Sequence, residues 1–416
     1  MTTTSVAAGP IDQALVRRRH LSQVLRTAAR PGPWSRARIA AETGLTRATV
    51  SSLVADLINR RLLREGAVER GGLGRPGQLL ALDPDHVAFL GVEINVDYLA
   101  CHVLDLTGAM VVSRTVALDV RQLDPTATMR RVGKLVNALV AGLGDRPVQS
   151  LHLAIPGMIE TTVGRVAYAP NLQWRNVDAV NMLATEVNLP ATRIAADNEA
   201  NLAALAEYAA GSAAGTTDLV LVTGEVGVGG GVISGGGLMR GARGYSGEFG
   251  HMALADPSYL CGCGRRGCWE AAIGLDAILA RVSEPGDPLR DVTQDLPSRL
   301  AEVVARADRG DVRTLEGLRE VGLLLGRGAA ALVNAFNPEV LMFGGTFAAL
   351  AVHLEAPITE ALTAHAVAPG AGGCRIAFST LGFNAAGIGG AQVGIELVLD
   401  DPTSVAPFRP QPGGRR

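Results

Sequence analysis

Along the first 85 residues, apolar positions recur at the three- and four-residue spacing of helices and then give way to strand-like alternation. Between Asp12 and Ala29, the apolar residues Leu15, Leu21, Val24, Leu25 and Ala28 predict a helix, which Pro31-Gly32-Pro33 stops near Arg30. Ser35 is placed to cap a short second helix through Ile39, Ala40 and Ala41, and Gly44 ends it by supplying a left-handed backbone. Thr46 caps a third helix, in which Val50, Leu53, Val54, Leu57 and Ile58 form one buried stripe. The opposite face offers Arg47, Ala48, Thr49, Ser51 and Ser52. Short polar side chains beside one arginine suit a helix that lies close in a DNA major groove and reaches phosphates and base edges. The segment LLREGAVERGGLGRPGQLLALD then predicts two strands and a Gly-rich tip, a wing thin enough to place Arg75 in a narrow minor groove. Ser35, Thr46, Arg47, Thr49, Ser51, Ser52 and Arg75 are therefore the expected DNA contacts of a winged helix-turn-helix domain over residues 1–85.

From Val87 the pattern becomes strands alternating with helices. FLGVEINVDYLACHVLDLTGAMVVSRTV predicts a three-stranded antiparallel start, followed by the helix MRRVGKLVNALVAGL, the buried strand SLHLAIPGMI and the helix NEANLAALAEYAAG. A second set runs from TDLVLVTGEVGVGGGVISGGGLMRG through the helix LLGRGAAALVNAF and the strand VLMFGG to a Gly- and Ala-rich last helix. Two such α/β halves predict a bilobal, cleft-forming fold. The expected division is a first lobe over 86–205 and a second over 206–400, with the last helix returning to the first lobe. A Pro- and Gly-rich tail over 401–416 is expected to be disordered.

Charge sharpens this division. Residues 1–85 carry 13 Arg against 7 Asp or Glu, a formal +6, and the rest of the 416-residue chain carries −8. A small basic head on an acidic body is the pattern of a polyanion-binding module joined to something else. No uncharged apolar run reaches the roughly 18 residues of a membrane span, and the N-terminus lacks an apolar core before a cleavage site, so a cytoplasmic protein is expected. Three of the five cysteines fall within eight residues, which excludes an evenly spread disulfide framework and suggests a metal.

The segments AYAPNLQW, DNEANLAALAEY, GARGYSGEFGHMAL and CGCGRRGCWE, in this order, resemble the ROK family of repressors, open reading frames and sugar kinases. The resemblance covers roughly residues 85–400, and the head is similar to that of the family's repressor branch. It implies the α/β bilobal actin-like, ribonuclease H-like sugar kinase fold. His251, Cys261, Cys263 and Cys268 stand as His-x9-Cys-x-Cys-x4-Cys in a Gly-rich loop, a donor set suited to one tetrahedral Zn²⁺. Four protein ligands leave no open position, so the ion is expected to be structural. By the resemblance, Asn171, Asn198, Glu199, Glu248, His251 and Glu270 are the sugar contacts. Each has a plain structural use as well, and it is their joint occurrence that points to a pocket.

The resemblance also implies that the kinase chemistry is lost. The family's phosphate loop, Asp-x-Gly-Gly-Thr, is here Glu93-Ile94-Asn95-Val96-Asp97, and its Gly-Thr-Gly is Glu225-Val226-Gly227. Glycines that allow close backbone approach to phosphate are gone, and carboxylates of the wrong sign stand in their place. The general base, Asp in the kinases, is Glu199. The expected function is a sugar-responsive transcription regulator, a repressor that binds operator DNA as a homodimer or dimer of dimers, with half-sites about 34 to 36 Å apart. An active ATP-dependent sugar kinase with a DNA-binding head, and a regulator controlled by a partner protein or a phosphosugar, stand as alternatives.

Overall fold

A computed structural model of the chain describes residues 12–68, 78–292 and 294–408; Arg75 and the expected wing tip lie outside them. In the head, α1 (Gln13–Ala29) begins where the Asp12 carboxylate accepts the Ala14 N–H, and it ends before the Pro-Gly-Pro stop. After β1 (Trp34–Ser35) come α2 (Arg36–Thr43) and α3 (Arg47–Asn59). The Ser35 hydroxyl accepts the Arg38 N–H, the Thr46 hydroxyl accepts the Thr49 N–H, and Gly44 at φ 71° makes the left-handed turn between the helices. β2 (Leu63–Val68) and β3 (Gln78–Leu82) complete a small antiparallel sheet in the order β1-β3-β2.

The first lobe opens with the antiparallel strands β4 (Ala88–Ile94), β5 (Tyr98–Leu104) and β6 (Met110–Ala117). α4 (Pro125–Ala141) then leads to β7 (Val148–Ile155), which lies parallel to β4. A small sheet of β8 (Met158–Glu160), β9 (Arg165–Ala169) and β10 (Trp174–Val177) follows, and after it α5 (Ala179–Ala184), β11 (Ile194–Asn198) and α6 (Glu199–Ala209). The main sheet reads β11-β7-β4-β5-β6.

The second lobe starts with β12 (Leu219–Gly224), β13 (Val228–Ser234) and β14 (Gly237–Leu238). Four helices come next, α7 (Glu270–Ile273), α8 (Leu275–Val282), α9 (Leu296–Asp308) and α10 (Val312–Phe336). Then β15 (Val340–Gly345), α11 (Thr346–Ala349), α12 (Ala351–His365) and β16 (Arg375–Phe378) close the sheet β14-β13-β12-β15-β16. The last helix, α13 (Ala385–Asp400), returns to the first lobe and lies against β4. A Cβ on Gly91 would stand 1.7 Å from the Gly387 carbonyl oxygen, so helix and sheet meet backbone to backbone.

The same helix carries the head. Leu21, Val24 and Leu25 of α1 belong to one continuous apolar core with Phe89 and Leu104 of the first lobe and Ile395, Val398 and Leu399 of α13. The tail expected to be disordered departs from that expectation over residues 401–408. Val405 is buried in this shared core, Arg60 donates to the carbonyls of Thr403 and Val405, and the Phe408 N–H donates to the Asn59 carbonyl. Phe408 also stacks edge-on against His86 and beneath the Arg61 guanidinium. Composition alone is a poor guide here, because an apolar pocket on the head supplies the burial that a Pro-rich segment cannot make for itself.

Candidate functional site

On α3, Thr46, Arg47, Ser51 and Ser52 are exposed and Thr49 is half-buried. Helical spacing sets this face opposite the buried Val50, Leu53, Val54 and Leu57. Thr46 and Thr49 share a hydroxyl hydrogen bond of 2.9 Å at its start. Ser35 is 5% exposed and its hydroxyl accepts the Arg38 N–H as the α2 cap, and it lines a shallow hollow together with Arg47 and Ser51.

The four metal-ligand candidates converge in the loop after β14. Their donor atoms lie within 4.8 Å of one another. Cys263 and Cys268 sulfurs are 3.7 Å apart, and the Cys261 sulfur is 3.8 Å from His251 Nδ1. Sulfur ligands about 2.3 Å from a tetrahedral zinc span edges of about 3.8 Å, so the donor set fits that ion in both chemistry and spacing. With Nδ1 turned to the sulfurs, His251 Nε2 faces Glu248 Oε2 at 3.8 Å. The imidazole thus links the metal loop to the neighbouring cleft.

All six expected sugar contacts, Asn171, Asn198, Glu199, Glu248, His251 and Glu270, line that one cleft of about 300 Å³ between the lobes. Three elements of the first lobe and two of the second bring them together, which no local pattern announces. Asn198 ends β11 and caps α6: its oxygen accepts the Ala200 and Asn201 N–H groups, and its amide donates to the Gly157 carbonyl and to Glu199. It is held in place by these bonds and offers the cleft a fixed edge. Glu270 Oε2 accepts the Val228 N–H at 2.9 Å, tying the start of α7 to the start of β13. Burial, with Glu248 and Glu93 nearby, pushes the Glu199 carboxyl up to about 8, and burial also raises Glu248. Glu199 therefore enters neutral solution protonated, a hydrogen-bond donor as well as an acceptor.

Several cleft residues carried no signal of their own in the sequence. Tyr168 and Arg175 flank Asn171 on β9 and β10, with the guanidinium 4.1 Å from the ring centre, and Arg265 reaches the cleft from the metal loop. Arg240 of the second lobe donates to the buried Asp197 of the first at 2.5 Å.

The carboxylates expected to oppose a polyphosphate are differently placed. Glu93 is fully buried behind Asn95, and Asp97 turns outward to Arg121 at 3.4 Å, so neither lines the cleft. Only Glu225 of the three does. Burial raises Glu93 to about 7 and Glu225 well above the carboxylate range, which shrinks the negative charge that sequence alone implies.

A model of the ROK family matches residues 89–395, and one of the IclR helix-turn-helix domain matches residues 23–66. The chain belongs to the ROK family. A xylose repressor of Bacillus spizizenii is 26% identical over 391 residues, covering 94% of this chain and 98% of that one. The fold is also that of a ROK family transcriptional regulator, a homolog of the E. coli MLC protein, with a TM-score of 0.74, 23% identity, and coverage of 92% of this chain and 97% of that chain. A ROK family glucokinase from Streptomyces griseus, in complex with glucose and AMPPNP, matches at TM-score 0.63 and 26% identity over 74% of this chain and 98% of its own. This ROK chain thus aligns with the glucokinase over about three quarters of its length and with the repressor and regulator over more than nine tenths. Among the described residues, no helix is long and apolar enough to cross a membrane.

Proposed function

We propose that this ROK chain is a sugar-responsive DNA-binding repressor whose bilobal body binds a sugar without phosphorylating it. The observation that carries the reading is the convergence of six polar residues on one cleft, beside a loop whose His and three Cys donors could hold a metal, in a body that shares a core with a helix-turn-helix head. Asn171, Asn198, Glu199, Glu248, His251 and Glu270 pair with sugar hydroxyls, each of which donates and accepts and is costly to bury unpaired. His251, Cys261, Cys263 and Cys268 hold one structural Zn²⁺, which fixes the His251 ring toward the sugar. Ser35, Thr46, Arg47, Thr49, Ser51 and Ser52 meet operator DNA, with Arg75 on the wing. The reading includes a homodimer, because one short helix and a wing cover a single half-site and paired half-sites match a two-fold protein.

Sugar and DNA are coupled through differential affinity for lobe closure, typically 1 to 3 kcal/mol, or roughly 5 to 150-fold in DNA affinity. The test is a mobility shift of full-length protein on a genomic fragment that it selects, with free monosaccharides and their phosphates added in turn. One free sugar is expected to release the DNA, Arg47→Ala to weaken binding without sugar, and Glu248→Ala or Glu270→Ala to abolish release while leaving ligand-free binding nearly intact. Sugar phosphate formed from ATP at roughly 1 to 100 per second would instead make the chain a kinase. Glu248→Ala and Glu270→Ala proteins that respond normally would place the sugar elsewhere.

A further inference from the structure

Two turns from opposite lobes meet at the floor of the cleft. On the first lobe, the β4–β5 turn is closed by the Asn95 N–H donating to the Tyr98 carbonyl at 3.0 Å. On the second, the β12–β13 turn is closed by the Glu225 N–H donating to the Gly227 carbonyl at 2.9 Å. Glu225 crosses between them. Its carboxyl accepts from the Asn95 amide and lies 3.2 Å from the Tyr98 hydroxyl. The same amide and hydroxyl also donate to Glu93 Oε1, at 3.3 and 2.7 Å. The next residue, Val226, packs against the apolar core of the first lobe although it belongs to the second.

The hydrogens can be assigned. Asn95 has two on its amide, one for Glu93 and one for Glu225, and its oxygen accepts the Val96 N–H at 2.6 Å. Tyr98 has one, and its oxygen lies between Glu93 and Glu225, so for both contacts to be hydrogen bonds one of the two carboxyls carries a proton. Burial and the neighbouring Glu93 favour that proton on Glu225. Glu93 Oε2 is buried with no hydrogen-bond partner, which also disfavours bare charge in this cluster.

We propose that Glu225 and Val226 form a latch by which the second lobe's β12–β13 turn grips the first lobe's β4–β5 turn and holds the cleft part-closed with nothing bound. Nucleotide is then kept out by a gap already closed with hydrogen bonds, and net charge is secondary. The latch also sets the closure from which a sugar acts; this last clause rests on the reading of the chain as a sugar sensor, whereas the latch itself does not.

Hydrogen exchange on the full chain, without sugar or DNA, tests it. Glu225→Ala is expected to speed exchange about tenfold in both turns, residues 93–98 as well as 224–228, since a lost cross-lobe hydrogen bond frees both sides. Glu225→Gln keeps an uncharged oxygen that accepts from the Asn95 amide and cannot also donate from that atom to Tyr98, so it is expected to stay closer to the parent than to the alanine variant, within about threefold. Tyr98→Phe keeps the ring and loses one hydroxyl, so it gives a smaller rise in both turns and serves if the alanine variant does not fold. Loosening confined to the substituted turn overturns the latch, and so does a glutamine variant as open as the alanine one, because charge would then be the holding force. A parallel DNA-release titration separates the two readings. Exchange that changes as expected in a protein no sugar affects upholds the latch and removes the sensor, and the converse pattern does the reverse.

Discussion

The seam between the head and the first lobe is filled by Leu21, Val24, Phe89, Ile395 and Val398, whereas the seam between the two lobes is of two kinds: Leu202, Ala203 and Ala204 of α6 share an apolar cluster with Leu219, Leu221 and Ile233 of the second lobe, and toward the cleft Glu225 on Asn95 and Arg240 on Asp197 bridge it with polar contacts. Apolar burial is non-directional and is lost only by exposing surface to water, so the first seam makes the head and α13 one body. Directional polar contacts can be exchanged for water or for a ligand's hydroxyls at small net cost, so the cleft end of the second seam is where movement is affordable, with the apolar cluster around α6 as its fixed end. Arg26 also bridges Glu396 and Asp400 of α13 at 2.8 and 2.7 Å, but exposed pairs of this kind add about 0 to 1 kcal/mol and do not carry the joint. A sugar that shifts lobe closure therefore moves α13, and the head moves with it.

The largest expected effect breaks the rigid side of the metal loop. Cys261→Ser is expected to drop zinc content, measured by metal analysis on protein purified without chelator, from about one ion per chain toward zero. Sugar release of DNA falls with it, since His251 loses its orientation. Zinc near zero in a fully responsive parent protein would remove this link. Next, Ile395→Ala opens a cavity in the shared core and is expected to cost about 2 to 5 kcal/mol by denaturant unfolding. If the head is one body with α13, unfolding followed at the head and at the first lobe shifts together; a shift in the head alone would mean that the joint is weaker than its packing implies.

A smaller effect is expected from ending the chain after Asp400. This removes Val405, Phe408 and the two carbonyl acceptors of Arg60, which is worth about 1 to 3 kcal/mol of head stability for the buried Val alone. Proteolysis of the head in the shortened protein reads it.

The smallest effect concerns pH. Glu93 and Glu199 hold protons in the folded chain up to about 7 and about 8, and their unfolded counterparts release them near the ordinary carboxyl value. The stability they add is complete below that unfolded value and is lost as pH rises through the folded one. Burial lowers His102 and His152 to about 4, so these oppose the carboxyls only below about 6.5, where the unfolded histidines charge. Stability is therefore expected to fall between pH 6.5 and 8, by at most about 1.4 kcal/mol per pH unit for each carboxyl. Glu199→Gln should flatten the upper part of this fall, and an unchanged slope would show that Glu199 titrates normally.

Much of this was legible in the chain itself. The three head helices, their caps at Ser35 and Thr46 and the turn at Gly44 follow from contacts between residues at most a few positions apart, and the antiparallel start of the body from strand partners within about twenty positions, such as Phe89 with Leu104 and Tyr98 with Ala117. The metal loop was legible for the same reason, because Cys261, Cys263 and Cys268 need only a short tight loop to converge. The six cleft residues were legible through the family resemblance, and their own spacing gave no hint of a shared cavity.

Tertiary structure alone decided the rest. Ser35 reads from sequence as an exposed cap until its pairing with Leu79 of β3 buries it. Glu93 and Asp97 are both carboxylates in one pentapeptide, yet one is sealed behind Asn95 and the other is half-exposed beside Arg121, since Glu93 lies within β4 and Asp97 lies past its end in the β4–β5 turn. Arg60 finds the Val405 carbonyl 345 residues away, and Glu225 finds Asn95 at a separation of 130. A sequence determines local geometry through steric and hydrogen-bonding preferences of neighbours. Which distant polar groups share a buried space, and hence which keep their charge, is settled only when the apolar faces have chosen their partners.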